Sequence, residues 1–265
     1  MTALDPAAAH TGSANARPWR FLVTGFSFAL FGIGGAMLGS VAVPLLWLWP
    51  GSRSARQRRM RRLVSAAFRA FVGVMHGLRG LDYDLSGFER LGRPGQLIVA
   101  NHPSLIDVVF LIAFVPGAGC VVKSSLWRNP AMALVVRGAG YVPNQPTDVM
   151  IDGAAAALAE GQAVIMFPEG TRTRPGQPMH FHRGAASVAA RTARCVTPVF
   201  ITVSPTTLTK HEPWYRIPRS RPRFCLRVGE DLDPGVLSAG RPLPQASRAI
   251  NTRLESTYAS ELPGY

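Results

Sequence analysis

His102 and Asp107 stand five positions apart in the stretch Asn101-His102-Pro103-Ser104-Leu105-Ile106-Asp107, where an apolar run gives way to a turn. Those two residue types can form an acid–base dyad. A carboxylate that accepts a hydrogen bond from one imidazole nitrogen fixes the tautomer, and the other nitrogen can then take a proton from a hydroxyl. The flanking pattern supplies a setting for it. Residues 97–100 read as a short buried strand, and residues 104–114 are apolar enough for a buried helix with Pro103 and Ser104 as start signals. His102 would leave a strand and Asp107 would occupy the first turns of a helix, with Asn101 and Ser104 shaping the turn between them. A lone histidine near an aspartate is more often structural, so the dyad needs a second feature beside it.

Phe167-Pro168-Glu169-Gly170-Thr171-Arg172 is that feature, again at the end of an apolar strand, residues 163–167. Gly170 allows close backbone approach, Glu169 can accept hydrogen bonds from a hydroxylated substrate, and Arg172 offers a planar fork for phosphate. Taken alone, the same letters also describe a charged surface turn with an internal Glu–Arg pair.

Both stretches, in this order and roughly sixty to seventy residues apart, resemble the two signatures of the glycerolipid acyltransferase family, which contains the 1-acylglycerol-3-phosphate acyltransferases: N-H-x-S-x-x-D and F-P-E-G-T-R. Both are present without gap or substitution. The likeness extends through Val122-Lys123-Ser124-Ser125-Leu126-Trp127 and Val196-Thr197-Pro198-Val199, so that it covers the chain from Leu81 to Val228. It implies His102 as general base, Asp107 as its orienter, and Glu169, Gly170, Thr171 and Arg172 as part of the acceptor site. Lys123 would face the thioester donor or cap the next element. The acceptor hydroxyl then attacks an acyl thioester directly, with no covalent acyl-enzyme, and none of Cys120, Cys195 and Cys225 lies in a motif. Backbone N–H groups at the start of the helix after Pro103 are candidate oxyanion donors. One position departs from the pattern. Where phosphate-accepting members carry an arginine between the signatures, Gly138-Ala139-Gly140-Tyr141-Val142-Pro143-Asn144 ends in a neutral amide. Asn144 cannot replace a bidentate cation. Arg137, Arg172 and Arg174 remain to hold a phosphate; a phosphate-free acceptor, such as a lyso-amino-acid lipid, is the alternative.

Composition sets the surroundings of this chemistry. At 265 residues, 47% of them hydrophobic, the chain has room for one α/β catalytic domain with an appended membrane element. Residues 21–49 contain no charge. As one helix they would run ~43 Å at about 1.5 Å per residue, against a hydrocarbon core of about 30 Å. A tilted span, a helix emerging into the interface and a re-entrant hairpin bent at Gly32, Gly34, Gly35, Gly39 or Pro44 all fit, with Trp19, Trp47 and Trp49 as interfacial anchors. Arg53, Arg56, Arg58, Arg59, Arg61 and Arg62 follow, against Arg17 and Arg20 on the other side, a bias that places the catalytic domain on the cytoplasmic face, the inner membrane in a bacterium. Met60, Leu63, Val64, Ala67, Phe68, Phe71, Val72 and Met75 recur at helical spacing. That helix either lies in an anionic interface or covers the domain core. The expected layout is therefore a disordered tail 1–18, a membrane segment 19–52, a basic amphipathic helix 53–79 and a catalytic domain 80–265 with a mixed sheet flanked by helices.

A net charge of +14 invites a nucleic-acid partner, but its distribution argues against one. The excess sits beside the apolar segment and in Arg216, Arg219, Arg221, Arg223 and Arg227, with no recognition motif near. Membrane lipids, a lyso-lipid acceptor, and coenzyme A or an acyl carrier protein as thioester donor fit better. Three scattered cysteines suit a reduced compartment, and His180 and His182 lack the companions of a metal site; no bound cofactor is expected. Past the second signature, residues 183–194 read as a helix, 196–203 and 223–228 as strands, and Ala246, Ile250, Leu254 and Tyr258 as a last amphipathic helix. Residues 210–223 form a proline-broken basic and aromatic loop that either touches the membrane, closes over the acceptor or packs as a plain connection. The rival to catalysis is a membrane adaptor that keeps the fold and uses its basic face for recruitment; intact letters in both signatures argue against it.

Overall fold

A computed structural model describes residues 17–173, 179–210 and 212–263. Of the expected tail 1–18, residues 1–16 lie outside them, as does Arg174; Arg17 and Pro18, expected to be disordered, open the first helix. Five parallel strands carry the architecture: β2 (Gln96–Ala100), β3 (Gly119–Val122), β4 (Val142–Pro143), β5 (Val164–Met166) and β6 (Cys195–Ser204), joined by β7 (Arg223–Val228) antiparallel to β6 and β1 (Asp82–Ser86) parallel to β7. The order across the sheet is β1-β7-β6-β2-β5-β3-β4. A mixed sheet with helices on both faces is what the sequence implied.

β2 reads as a continuous apolar run because both of its faces are covered. Leu97 and Val99 pack with α6 (Thr147–Ala159), α7 (Gly184–Thr192) and α9 (Leu243–Glu261). Ile98 and Ala100 face the other layer, with α3 (Arg53–Gly77), α4 (Asp107–Phe114) and α5 (Ala133–Ala139). The short helix α8 (Pro234–Ser238), ahead of α9, is capped by the Asp233 carboxylate. Because β2, β3, β4, β5 and β6 are parallel, their carboxyl ends share one edge of the sheet, the edge at which open α/β sheets hold ligands.

The basic helix α3 lays its Met60, Val64, Val72 and Met75 stripe on the core. Of the two settings the sequence left open for this helix, the core is the one found, and Arg61 of its basic cluster is buried: its Nε donates to the Gly117 carbonyl at 2.9 Å and its Nη1 to the Ala139 carbonyl at 2.9 Å. Ser65 and Arg69 both donate to the Ala113 carbonyl. These groups satisfy free carbonyls at and beyond the C-termini of α4 and α5, where positive charge also suits the helix dipole.

Residues Arg17–Leu48 form one helix, long and apolar enough to cross a membrane, made of α1 (Arg17–Met37), a π-helical turn (Leu38–Ala42) and α2 (Val43–Leu48). The hairpin considered inside 21–49 is absent; the chain turns back only after Trp49, into α3. The glycines serve a different purpose. A Cβ at Gly35 would meet Met132 Sδ at 2.8 Å and one at Gly39 would meet Leu134 Cβ at 3.3 Å, so both let the helix lie directly on the segment leading into α5. Val23, Ser27 and Val43 are buried on the same side, while Leu22, Phe26, Ile33, Met37, Val41 and Leu45 are exposed on the other.

Candidate active site

The residues with chemical potential gather on the carboxyl edge of the sheet. His102 follows β2, Lys123 follows β3, Asn144 follows β4, and the 167–172 turn follows β5. The first turn is tied down at its root: Asn101 Nδ2 donates to the Ile201 carbonyl and its Oδ1 accepts from Ile201 N–H, both at 2.8 Å, which stitches the end of β2 to β6.

Imidazole and carboxylate meet. His102 Nδ1 lies 3.0 Å from Asp107 Oδ2, and the same oxygen accepts the Ser104 backbone N–H at 2.6 Å. α4 therefore begins at Asp107, three residues later than the sequence suggested. The Asp107 side chain folds back over the turn as its acceptor, while Ser104 Oγ donates away from the helix, to the Thr207 carbonyl at 3.0 Å. Of the candidate oxyanion donors after Pro103, Ser104 N–H serves Asp107 and Leu105 N–H donates to the Leu208 carbonyl at 3.2 Å. Neither is free for a substrate.

Asp107 is fully buried, and burial pushes its carboxyl above the ordinary carboxylate value; the hydrogen bonds from His102 and Ser104 pull it part of the way back. Its Oδ1 has no hydrogen-bond partner among the described residues. The His102 ring stacks on Phe167, with centroids 4.4 Å apart, and its side chain is 18% exposed. With Nδ1 turned to the carboxylate, Nε2 is the nitrogen presented outward.

Glu169 is not open to an acceptor in the way its letter suggested. Only 7% exposed, it takes the His102 backbone N–H at 3.0 Å and the Thr173 hydroxyl at 2.6 Å, both on Oε1. Burial raises its carboxyl above the ordinary value, opposed by those two hydrogen bonds. Thr173 completes a brace between the two signatures, its Oγ1 also 3.1 Å from His102 N and its N–H donating to the His102 carbonyl at 2.8 Å. Sequence reading stopped one residue short of it; the only cue was a small hydroxyl directly after Arg172. Gly170, exposed at φ +62°, turns the chain where a Cβ would meet the His182 ring at 3.2 Å, and Thr171 beside it is exposed.

Arg172 directs Nη1 to the Leu208 and Thr209 carbonyls at 2.8 and 2.9 Å, so half of its fork is used by the protein. Arg137 is turned to the Trp127 carbonyl and ring. Asn144 is structural in its contacts: its Oδ1 accepts Ser124 N–H at 3.0 Å and its N–H donates to the Val122 carbonyl at 2.8 Å, which pins the turn carrying Lys123. Lys123 is exposed; its carbonyl accepts the Leu126 N–H at 3.0 Å, and its ammonium makes no hydrogen bond or ion pair among the described residues.

The chain that carries this His–Asp pair and Glu-Gly-Thr-Arg turn is similar to known proteins. Residues 83–202 match the family model described as Acyltransferase. A 1-acyl-sn-glycerol-3-phosphate acyltransferase of Borreliella burgdorferi is 30% identical over 149 residues, 52% of this chain and 58% of that protein. The human 1-acyl-sn-glycerol-3-phosphate acyltransferase alpha is 25% identical over 184 residues, 66% of this chain and 61% of that protein. The chain thus spans less than two thirds of either relative. The fold is that of the crystal structure of the 1-acyl-sn-glycerophosphate acyltransferase PlsC from Thermotoga maritima, with a TM-score of 0.66 at 20% identity, covering 94% of this chain and 99% of that one. His102, Asp107 and the 167–172 turn all lie within the residues that the family model matches.

Proposed function

We propose that the protein transfers a fatty acyl group from an acyl thioester, of coenzyme A or an acyl carrier protein, to the hydroxyl of a lysophospholipid-like acceptor. The observation that carries this reading is the 3.0 Å contact between His102 Nδ1 and buried Asp107, which leaves Nε2 facing outward. Nε2 takes the proton of the acceptor hydroxyl as its oxygen attacks the thioester carbonyl; the C–S bond breaks, and the imidazolium returns the proton to the departing thiolate. General-base assistance of this kind contributes about 10²- to 10⁴-fold, and holding the two substrates together supplies much of the remainder. Asp107 orients the ring, and Glu169 with Thr173 fixes the backbone from which the ring projects.

Membrane attachment through α1–α2 belongs to the same reading. A 32-residue helix that rests along its length on the domain, with the opposite face apolar and exposed, suits a position in the plane of one leaflet. Trp47, Leu48 and Trp49 at its end are highly exposed, and Arg59 covers the Trp49 ring. An anionic inner leaflet on the cytoplasmic side, where thioester donors are made, matches the arginine-rich surface beside it.

The names of the relatives favour 1-acylglycerol 3-phosphate as acceptor, with Arg172 and Lys123 as the cations for its phosphate. A phosphate-free acceptor is the second reading, favoured by the neutral, backbone-bound Asn144. The test is acyl transfer by the detergent-purified protein to 1-acylglycerol 3-phosphate and to phosphate-free lyso-lipids, with both classes of thioester. Transfer to the phosphate-bearing acceptor alone supports the first reading, and transfer only to a phosphate-free one supports the second. Transfer to neither contradicts both.

A further inference from the structure

The connection between β6 and β7 is bonded to the catalytic turn at one end and to α1 at the other. At the inner end, the Thr207 carbonyl accepts from Ser104 Oγ, the Leu208 carbonyl accepts from Leu105 N–H and Arg172, and the Thr209 carbonyl accepts from Arg172. Leu208 is buried at φ +53°, a conformation residues with side chains rarely adopt, so these bonds hold its carbonyl in an orientation the chain would not choose alone. At the outer end, buried Arg20 of α1 donates to the Pro218 carbonyl at 3.3 Å and also to that of Arg219. Trp214 stacks on Phe21 with centroids 5.8 Å apart, lies 5.7 Å from Phe28, and sits over Gly25, where an added Cβ would touch the indole at 3.6 Å. The two ends are also bonded to each other. Thr209 gives its N–H and its hydroxyl to Glu212 Oε2, each at 3.2 Å, and Glu212 Oε1 lies 3.5 Å from Arg216 Nε.

The character of the connection changes along its length. Its inner half is polar and enclosed, whereas its tip is aromatic and open: Trp214 is 42% and Tyr215 59% exposed, with rings 5.9 Å apart. With Phe21 and Phe28 they make one continuous ring cluster, joined to the exposed apolar face of α1 and followed by Arg216 and Arg219. Amphipathic rings beside arginines suit the headgroup level of an anionic leaflet. A contiguous exposed apolar surface of this kind marks a contact site.

We propose that the 213–219 tip is a second bilayer contact, seated at the headgroups of an anionic leaflet beside α1, and that it steadies the catalytic turn through Glu212, Thr209 and Leu208. It is a positioning element; none of its side chains touches the reacting atoms. The inference deepens the membrane reading above and needs no assumption about the acceptor.

The test has two arms. Tryptophan fluorescence of the full chain is quenched with brominated phosphatidylglycerol vesicles, in wild type and Trp214→Phe. The difference reports the depth of Trp214, and the remaining signal, from Trp19, Trp47, Trp49 and Trp127, reports through the three in and beside α1–α2 whether the protein is on the membrane at all. The expected result is a quenched component that disappears in Trp214→Phe. A protein quenched equally in both has its tip in water, and the proposal falls while the α1–α2 attachment stands. A Trp214 component moved by an acyl carrier protein and not by lipid assigns the tip to a protein partner and also overturns it. In the second arm, Tyr215→Asp is expected to lower transfer to a vesicle-borne acceptor by about tenfold, through kcat, while its melting temperature and its rate on a water-soluble short-chain acceptor stay near wild type. Equal rates on vesicles would sever the link to the catalytic turn. If wild type transfers nothing, the quenching arm still decides the lipid contact.

Discussion

The 101–107 turn and the α1–α2 helix lie on the same domain and hold their shape in opposite ways. In the turn nearly every polar group has a named partner across the sheet edge: Asn101 with Ile201, His102 with Asp107, Glu169 and Thr173, Ser104 with Asp107 and Thr207. Along α1–α2 one face is bonded or packed and the other presents Leu22, Phe26, Ile33 and Met37 to the surroundings. The lesson is a division of labour. The turn is over-determined so that one imidazole points one way, while the outer face of the helix is exposed among the described residues and, on the proposed membrane reading, serves attachment instead of folding.

Substitutions in the turn and on the helix face therefore have different readouts. Asp107→Asn should lower acyl transfer by roughly 10²- to 10⁴-fold, because an amide cannot stabilise the imidazolium. The melting temperature should stay level or rise, since the variant removes a buried charge. Thermal unfolding measured against pH sharpens the point. Both Asp107 and Glu169 have carboxyls raised by burial, so the fold holds protons that the unfolded chain has already released. Stability should then fall as pH rises from the ordinary carboxylate value of about 4 through the raised ones, and Asp107→Asn should flatten part of that fall. A steep loss of stability in Asp107→Asn at neutral pH would mean that the carboxylate is there to hold the fold.

Asn101→Ala comes next in size. It leaves the Ile201 N–H and carbonyl without their partners in a dry interior, at a cost of roughly 2–4 kcal/mol, readable by denaturant titration. Activity should fall with it, because the root of the turn is released. The smallest effect on the fold belongs to the helix face. Trp47→Ser with Leu48→Ser should change stability by no more than about 0.5 kcal/mol, yet weaken partition into phosphatidylglycerol vesicles measurably in a sedimentation assay. Loss of fold in that double variant would erase the contrast between the two regions.

How much of this could be read from the chain follows the same line. His102, Asp107 and the order of the two signatures were legible because their chemistry is written in consecutive residues. The strands β2, β5 and β6 were legible because burial on both faces demands apolar runs. What the letters could not give is which partner each polar group chooses across the sheet. Glu169 looked like a ligand for substrate, and its Oε1 braces the His102 backbone. Thr173 was missed because its partner is in the other signature, and the burial of Arg61 was not legible because nothing local says that two loose helix ends lie beneath it. The glycines of the Arg17–Leu48 helix suggested a bend by their number, but Gly35 and Gly39 are needed for the close approach of another segment, which only the fold brings there.

The most direct measurement is the rate of acyl transfer by His102→Ala beside wild type, each shown by thermal unfolding to be folded. Removal of the general base predicts a fall of at least about 10²-fold with little change in melting temperature. A folded His102→Ala protein that transfers acyl groups at the wild-type rate would contradict the account at its centre.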